Sequence, residues 1–244
     1  MDQIHLSSAR QGIENRLLKF CEDLFYNADI LLLTQNTCSN CECFFVACCQ
    51  HMDEQRSYYP CHHYKLIFTD GACLNNGRNE PRAGIAAVAG ERSDLRRSRR
   101  VDNDVDPGMP RTSQRAELLG ALEGLDLLRE LWDDELIAAE KEKRPIHGKT
   151  RRHGQSEDLD SRQTCVIAMD SEYVVKGITD WYPSWKRRGW RTANGKIPAN
   201  LDLFHRLNDK LTELEVTGVE IGFWRIPRKY NQLADQLAGQ AAAS

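Results

Sequence analysis

Four carboxylates in this 244-residue chain sit where an acid is otherwise awkward. Asp70 follows the apolar run Leu66-Ile67-Phe68, and Asp170 follows Val166-Ile167-Ala168-Met169. Glu117 lies beside the apolar face of a long amphipathic pattern, and Asp235 lies between Ala234 and Leu237. A carboxylate at the carboxyl end of a strand in an open α/β sheet sits where ligands bind in such folds. Acids gathered there repel one another, and their natural partner is a hard divalent cation such as Mg2+, which takes oxygen ligands. Three or four acids around two ions ~3.5–4 Å apart form a clamp suited to in-line phosphodiester hydrolysis. Taken alone, each acid reads equally well as a strand end or a solvent-facing residue. Spacing does not make them converge.

The elements that must position them are legible from patterning. Apolar runs bounded by Gly, Asn and Pro predict strands over 64–70, 82–90, 165–169 and 219–224. Apolar residues at 118, 121, 122, 125, 128 and 132 predict a helix over 112–132, with Thr112 or Ser113 as N-cap. Shorter helices are expected over 172–178 and 201–211, and a closing helix over 230–243. This alternation suggests an α/β sandwich around a mixed sheet. The charge-rich stretch 91–111, with Pro107, Gly108 and Pro110, suits an edge strand in part. Residues 133–163 are almost wholly polar and read as a solvated insertion.

Apolar residues make up 41% and charged residues 28%, enough for a full core. Thirty-three Lys and Arg against thirty-six Asp and Glu give a net charge of -3. That excludes a basic coat over the whole surface, though not a local patch. The longest apolar runs fall far short of the ~18 residues a spanning helix needs, so no membrane association is expected. The start of the chain lacks the features of a signal peptide, and Asp2, Glu14, Glu22 and Asp23 argue against a transit peptide. Nine cysteines without a secretory signal imply a reducing compartment. An intracellular monomer is expected, in the nucleus or cytoplasm.

Seven of those cysteines precede residue 62, which suggests a small Cys-rich appendage over 1–62 joined to a larger domain over 63–244. Within it, Ile13, Leu17, Phe20 and Leu24 share one helical face, while 31–33 and 44–46 read as short strands. Cys38, Cys41, Cys49 and His51 are candidate ligands for a structural Zn2+, which would supply folding energy to a segment with few core residues. No second paired motif follows the first, and thiols packed as small hydrophobes are the competing reading.

Several motifs occur in one order: Thr69-Asp70-Gly71-Ala72-Cys73, Pro81-Arg82-Ala83-Gly84, Gln114-Arg115-Ala116-Glu117, Met169-Asp170-Ser171, and Asn231 with Asp235. Between them stand Gly177-Ile178-Thr179-Asp180-Trp181 and Trp185-Lys186-Arg187-Arg188-Gly189-Trp190. Together they resemble the type 1 ribonuclease H family, in a cellular, fungal-like form with a Cys-rich N-terminal extension. The resemblance covers residues 64 to about 243. It implies a ribonuclease H-like fold with a five-stranded mixed sheet flanked by helices. It also implies endonucleolytic hydrolysis of the RNA strand of RNA–DNA hybrids, with Asp70, Glu117, Asp170 and Asp235 holding two Mg2+, or alternatively Mn2+.

A hybrid nuclease must recognise RNA without reading sequence, and the 2′-hydroxyl permits this. By resemblance, Asn76, Gln114 and Ser113 stand at RNA-strand positions, although Asn75-Asn76-Gly77 is also a good turn. The stretch 181–196 contains no acid and interleaves Trp181, Trp185 and Trp190 with Lys186, Arg187, Arg188, Arg191 and Lys196. Basic residues among aromatics suit a phosphate backbone. The resemblance makes this stretch a basic protrusion gripping the DNA strand, with Thr192 and Asn200 as further contacts. Two departures stand out. The family's histidine-bearing loop is replaced by Pro227-Arg228-Lys229-Tyr230-Asn231, where Lys229 is a weak substitute, and Pro110 takes the place of a phosphate-pocket arginine, with Arg111 next to it. Competing readings are a catalytically weak or inactive hybrid-binding scaffold on the same fold, or a domain of retroelement origin.

Overall fold

The computed structural model describes residues 12–19, 36–38, 41–46, 64–142 and 163–244, side chains at 12, 133–142 and 163 excepted. Strands β1 (Gly12–Glu14), β2 (Leu17–Lys19), β3 (Asn36–Thr37) and β4 (Phe44–Phe45) precede β5 (Tyr64–Leu74), β6 (Arg82–Val88) and β7 (Arg96–Val101). Helix α1 (Ser113–Glu142) leads to β8 (Gln163–Met169), α2 (Glu172–Lys176), a π-helical turn over Gly177–Trp181 and α3 (Tyr182–Arg187). Helix α4 (Leu201–Val216), β9 (Val219–Arg225), a 3-10 turn over Arg228–Tyr230 and α5 (Gln232–Ala243) complete the chain.

Five long strands form the expected mixed sheet. β5, β8 and β9 run parallel, while β6 and β7 continue antiparallel from the other edge of β5. Along β5, Leu66 and Phe68 pack on one face and Ile67 on the other. In β8, Val166 and Ala168 likewise oppose Cys165, Ile167 and Met169. Both faces are therefore covered, as parallel strands require.

Four short strands enlarge the sheet, and here the sequence expectations need correction. The helix expected from Ile13 and Leu17 is a hairpin. Asn15 and Arg16 both take positive φ (50° and 63°), the turn geometry that matches strand twist. β2 then lies parallel against β9, pairing Leu17 with Phe223, and Leu18 enters the core. Arg16 anchors the hairpin to α4 through Glu215 (3.0 and 2.9 Å) and Asn208 (3.0 Å). At the other end, Phe45 pairs with Lys65 of β5. The described parts of 1–62 thus extend the sheet. Of the candidate zinc ligands, Cys38 and Cys41 are half-buried, while Cys49 and His51 lie outside the described residues, as do 31–33, Phe20 and Leu24. Cys43 is buried in the core, packed as a small hydrophobe.

The polar insertion expected from 133 also begins later, because α1 continues through Glu142. Residues 133–142 are mostly Glu, Ala, Leu and Lys, strong helix formers that extend the helix after its apolar stripe has ended. The edge strand expected within 91–111 is β7, whose arginines at 96, 97, 99 and 100 keep the open edge charged.

Helix α1 lies unusually close to β5. A Cβ on Gly71 would meet the Ala116 carbonyl carbon at 2.0 Å, and one on Gly120 would meet the Asp70 carbonyl oxygen at 2.4 Å. Glycine at both positions lets backbone touch backbone, which brings Glu117 beside Asp70. Gly120→Ala is therefore expected to cost ~1–3 kcal/mol through overpacking. Gly239→Ala, where the added methyl meets nothing within 4 Å, should be neutral or slightly stabilising. Chemical denaturation of the two variants checks this.

Candidate active site

The parallel register explains how two acids converge. Phe68 pairs with Ala168, so Asp70 and Asp170 each lie two residues beyond the last matched pair of β5 and β8. Asp70 is not a strand end, as the sequence suggested, because β5 runs on to Leu74 along β6. The Asp70 residue is 8% exposed.

Glu117 reaches the same edge from the second turn of α1, where Ser171 Oγ donates to its Oε2 (2.6 Å). Ser171 also caps α2 by accepting from the Val174 N–H (3.3 Å), so one hydroxyl fixes both. Asp235 arrives in the first turn of α5, where the helix dipole favours an acid. Asn231 docks that helix: its Nδ2 donates to the Thr69 carbonyl (3.0 Å) and to Asp170 Oδ1 (3.1 Å).

The four acids sense one another. Burial, then the charges of Asp170 and Asp235, push the Asp70 carboxyl up to about 7, against the lowering influence of the Gly71 N–H and Arg228. Burial raises Glu117 as well, opposed by the Ser171 hydrogen bond. Arg228 ion-pairs with Asp235 and is 74% exposed. Its charge lowers both Asp70 and Glu117, whereas Lys229 sits over the Tyr230 ring at 4.6 Å.

Among the described residues no three His, Cys, Asp or Glu side chains form a closed metal cluster. The donor set nonetheless suits a hard divalent cation: four carboxylates, one of them raised by burial and then by the charges of Asp170 and Asp235, a state that added positive charge would relieve. Asn231 Oδ1 is buried without a hydrogen-bond partner, an acceptor that a metal-bound water would satisfy. Asp70, Glu117, Asp170 and Asp235 are the residues that would hold the ions.

The nucleic-acid candidates separate into two groups. Asn76 is exposed in the turn after β5, and its Oδ1 accepts from the Ser113 N–H (3.4 Å), so it serves as a turn residue beside the exposed Gln114. Lys186, Arg187, Arg188, Arg191 and Lys196 are exposed and have no carboxylate partner among the described residues. Thr192 closes their loop, its Oγ1 accepting from the Lys196 N–H (3.1 Å). The aromatic half needs correction. Trp185 is 7% exposed and packs edge-on against Phe204 (5.2 Å), so it belongs to the core. Trp181 and Trp190 are half-buried, Trp190 lying against His205 at 4.4 Å. These rings form the base on which the cations stand. Arg111 spends its guanidinium on the carbonyls of Val101, Asp106 and Met109 and on Asn103, bracing its own loop instead of holding phosphate.

Sequence reasoning passed over Ser171, Arg228 and Arg115. Ser171 and Arg115 stood inside the quoted motifs, but their partners Glu117, Asp106 and Asp202 are set by the fold.

Carboxylates gathered from within one strand, from just past its parallel neighbour and from the first turns of two helices, on a mixed sheet of this order, define a ribonuclease H-like site. The RNase H family profile matches residues 153–243. The chain is 30% identical to ribonuclease H of Pseudomonas paraeruginosa (strain DSM 24068 / PA7) over 185 residues, 73% of this chain and 93% of that protein. It is 29% identical to human ribonuclease H1 over 183 residues, 73% of this chain but 50% of the human protein, so it spans about half the length of that relative. Among solved structures, LC11-RNase H1 from compost superposes with a TM-score of 0.44 at 19% identity, over 75% of this chain and 97% of that one. The chain belongs to the type 1 ribonuclease H family.

The raised Asp70 pKa makes a signed prediction. In metal-free buffer, folding opposes Asp70 ionisation, so its stability penalty is absent below about pH 4, grows as pH rises, and is complete above about 7. Asp70→Asn should therefore raise the melting temperature at pH 8, by ~2–4 °C per kcal/mol relieved, and the gain should vanish near pH 4. Melting curves of both proteins across pH in EDTA check this.

Proposed function

We propose that the protein hydrolyses the RNA strand of RNA–DNA hybrids as an endoribonuclease, with the four acids holding two Mg2+ or, alternatively, Mn2+. The observation that carries this is the convergence of the four acids. Asp70 is buried in β5 level with Asp170 after β8, Glu117 is held by Ser171, and Asp235 sits on the helix that Asn231 docks. Added divalent cations would relieve this charge arrangement. When bound, the ions supply activation of the attacking water and stabilisation of the leaving oxygen.

The chain's own residues do the rest. Ser171 and Asn231 hold Glu117 and Asp170 in place, so the acids keep their geometry while charge changes around them. Ser113 and Gln114 open α1 four and three residues before Glu117, and Asn76 meets Ser113 from the turn after β5; these are short polar groups able to meet a 2′-hydroxyl. Lys186, Arg187 and Arg188 lie on and beside α3, set to meet the backbone of the DNA strand. Arg228, already paired with Asp235, is better placed than Lys229 to answer negative charge where the family's histidine is missing. On this reading the protein works as a monomer in the nucleus or cytoplasm. No helix among the described residues is long and apolar enough to cross a membrane.

Asp70→Asn should abolish Mg2+-dependent cleavage of a labelled hybrid while hybrid binding persists; robust cleavage by that variant would contradict the assignment. Replacing Lys186, Arg187 and Arg188 together with Ala should weaken binding and flatten its salt dependence by up to about three phosphate contacts. A salt series of Kd values measures this, and an unchanged slope would show that the three charges never meet the backbone. Wild-type binding without any cleavage would favour the scaffold reading.

A further inference from the structure

His205, on α4, is the one histidine among the described residues. Its Nδ1 lies 3.0 Å from the Tyr182 hydroxyl of α3. Its ring meets Trp190 with centroids 4.4 Å apart and planes crossing at 74°. Trp190 also packs on Tyr182 at 5.2 Å. Three rings from three segments thus close on one another, Tyr182 buried and the other two half-buried.

Trp190 is an awkward residue for its place. It adopts φ 62° straight after Gly189 at φ 61°, a left-handed conformation that a bulky side chain keeps only where its surroundings hold it. Its N–H donates to the Trp185 carbonyl (2.8 Å), which turns the chain sharply out of α3. The loop beyond depends on that turn. Arg188 Nε donates to the Arg191 carbonyl (3.3 Å), and Thr192 and Lys196 bond each other across the loop (2.8 and 3.1 Å). The Trp190 ring is what ties this loop to the body of the protein, and Tyr182 and His205 are what it is tied to.

A histidine brings to this cluster a charge that changes between about pH 5 and 8. Burial raises the Tyr182 hydroxyl, Asp209 adds to this and Arg16 opposes it, so the phenol stays neutral across that range. With His205 neutral, Nδ1 accepts the phenol's proton; with His205 charged, Nδ1 donates and the phenol oxygen accepts. That bond survives in both states, and the contact with Trp190 is what changes. At 4.4 Å the charged imidazole lies within the ~6 Å over which an indole face attracts a cation.

The charged groups on the surrounding segments are mostly cations. Arg206 is next to His205, with Asp202 and Asp209 one turn away on α4. Lys186 lies one turn beyond Tyr182, Arg188 and Arg191 flank Trp190, and Arg16 reaches in from the β1–β2 hairpin. An anionic backbone laid across these cations would favour one more positive charge beside them.

We propose that His205 is a positioning residue for hybrid binding. Through Trp190 it holds the basic loop 188–196 in the form that meets a phosphate backbone, and it holds it more tightly when its ring is protonated. This rests on the hybrid-binding reading above and deepens it.

The test is hybrid Kd, by fluorescence anisotropy between about pH 6 and 8. The Asp70→Asn protein is used, which removes both cleavage and the Asp70 titration. Kd should be about 2- to 30-fold lower at the acid end, the worth of one cation–π contact. His205→Gln, whose amide can keep the bond to Tyr182 without titrating, should remove this difference. In Mg2+, with Asp70 restored, it should raise KM near the acid end and leave kcat at saturating hybrid unchanged. Trp190→Gly accepts the left-handed backbone freely, and without the ring the profile should be the same with His or Gln at 205. Should either variant fail to fold, an NMR titration of the His205 ring in the Asp70→Asn protein decides, since its midpoint should move up when hybrid is added. A profile that is flat with His205 in place or equally steep in His205→Gln, or a midpoint that hybrid does not move, would overturn the positioning role while leaving hybrid cleavage standing. Protein that binds no hybrid at any pH overturns both.

Discussion

The mutual repulsion of Asp70, Glu117, Asp170 and Asp235 is the constraint around which the rest of the structure is arranged. Left to themselves, four carboxylates at one sheet edge would spread apart or take up protons, and Asp70 is already pushed towards neutrality. Each is held by something that does not yield. Asp70 is fixed within a strand paired on both sides, and Asp170 is fixed by the register of β8 and by Asn231. Glu117 is fixed by a backbone-to-backbone contact between α1 and β5 that glycine alone permits, and by Ser171. Asp235 is fixed by the docking of α5, with Arg228 partly offsetting its charge. The fold holds electrostatic repulsion at this site, which bound divalent cations would relieve.

The basic face proposed to meet nucleic acid follows a different logic, in which the aromatic and basic residues divide the labour. Trp185, Trp181 and Trp190 pack onto Phe204, Tyr173, Tyr182 and His205, making a firm base from residues that could equally have faced the ligand. The cations, which meet no carboxylate among the described residues, stand on that base, which explains how a chain of net charge -3 presents a locally basic face. Arg115 joins this surface to the acids, since it precedes Glu117 by two residues and binds Asp202 and Asn200 at the head of α4.

Much of this was legible in the sequence, and what was not has physical reasons. The apolar runs of β5, β8 and β9 and the stripe of α1 name themselves, because strands buried on both faces and an amphipathic helix leave strong patterns. The four acids were visible as misfits in those patterns, and motif order gathered them into one site. The N-terminal hairpin was misread because Ile13 and Leu17 satisfy a helical spacing, whereas the deciding signal is the two-residue turn at Asn15 and Arg16. The tail of α1 was missed because intrinsic propensity, not apolar periodicity, sustains it. Burial of Trp185 and the pairing of Arg115 with Asp106 and Asp202 depend on contacts between distant segments, which spacing along the chain does not encode.

An NMR titration of the Asp70 carboxyl carbon, first in protein stripped of divalent metal and then in saturating Mg2+, tests the central claim most directly. The expected midpoint without metal is about 7, and with Mg2+ it should fall to well below the ordinary carboxylate range as the cation takes over the charge. A metal-free midpoint near the ordinary ~4, or one that Mg2+ does not move, would contradict the view that this sheet edge is a loaded cation site.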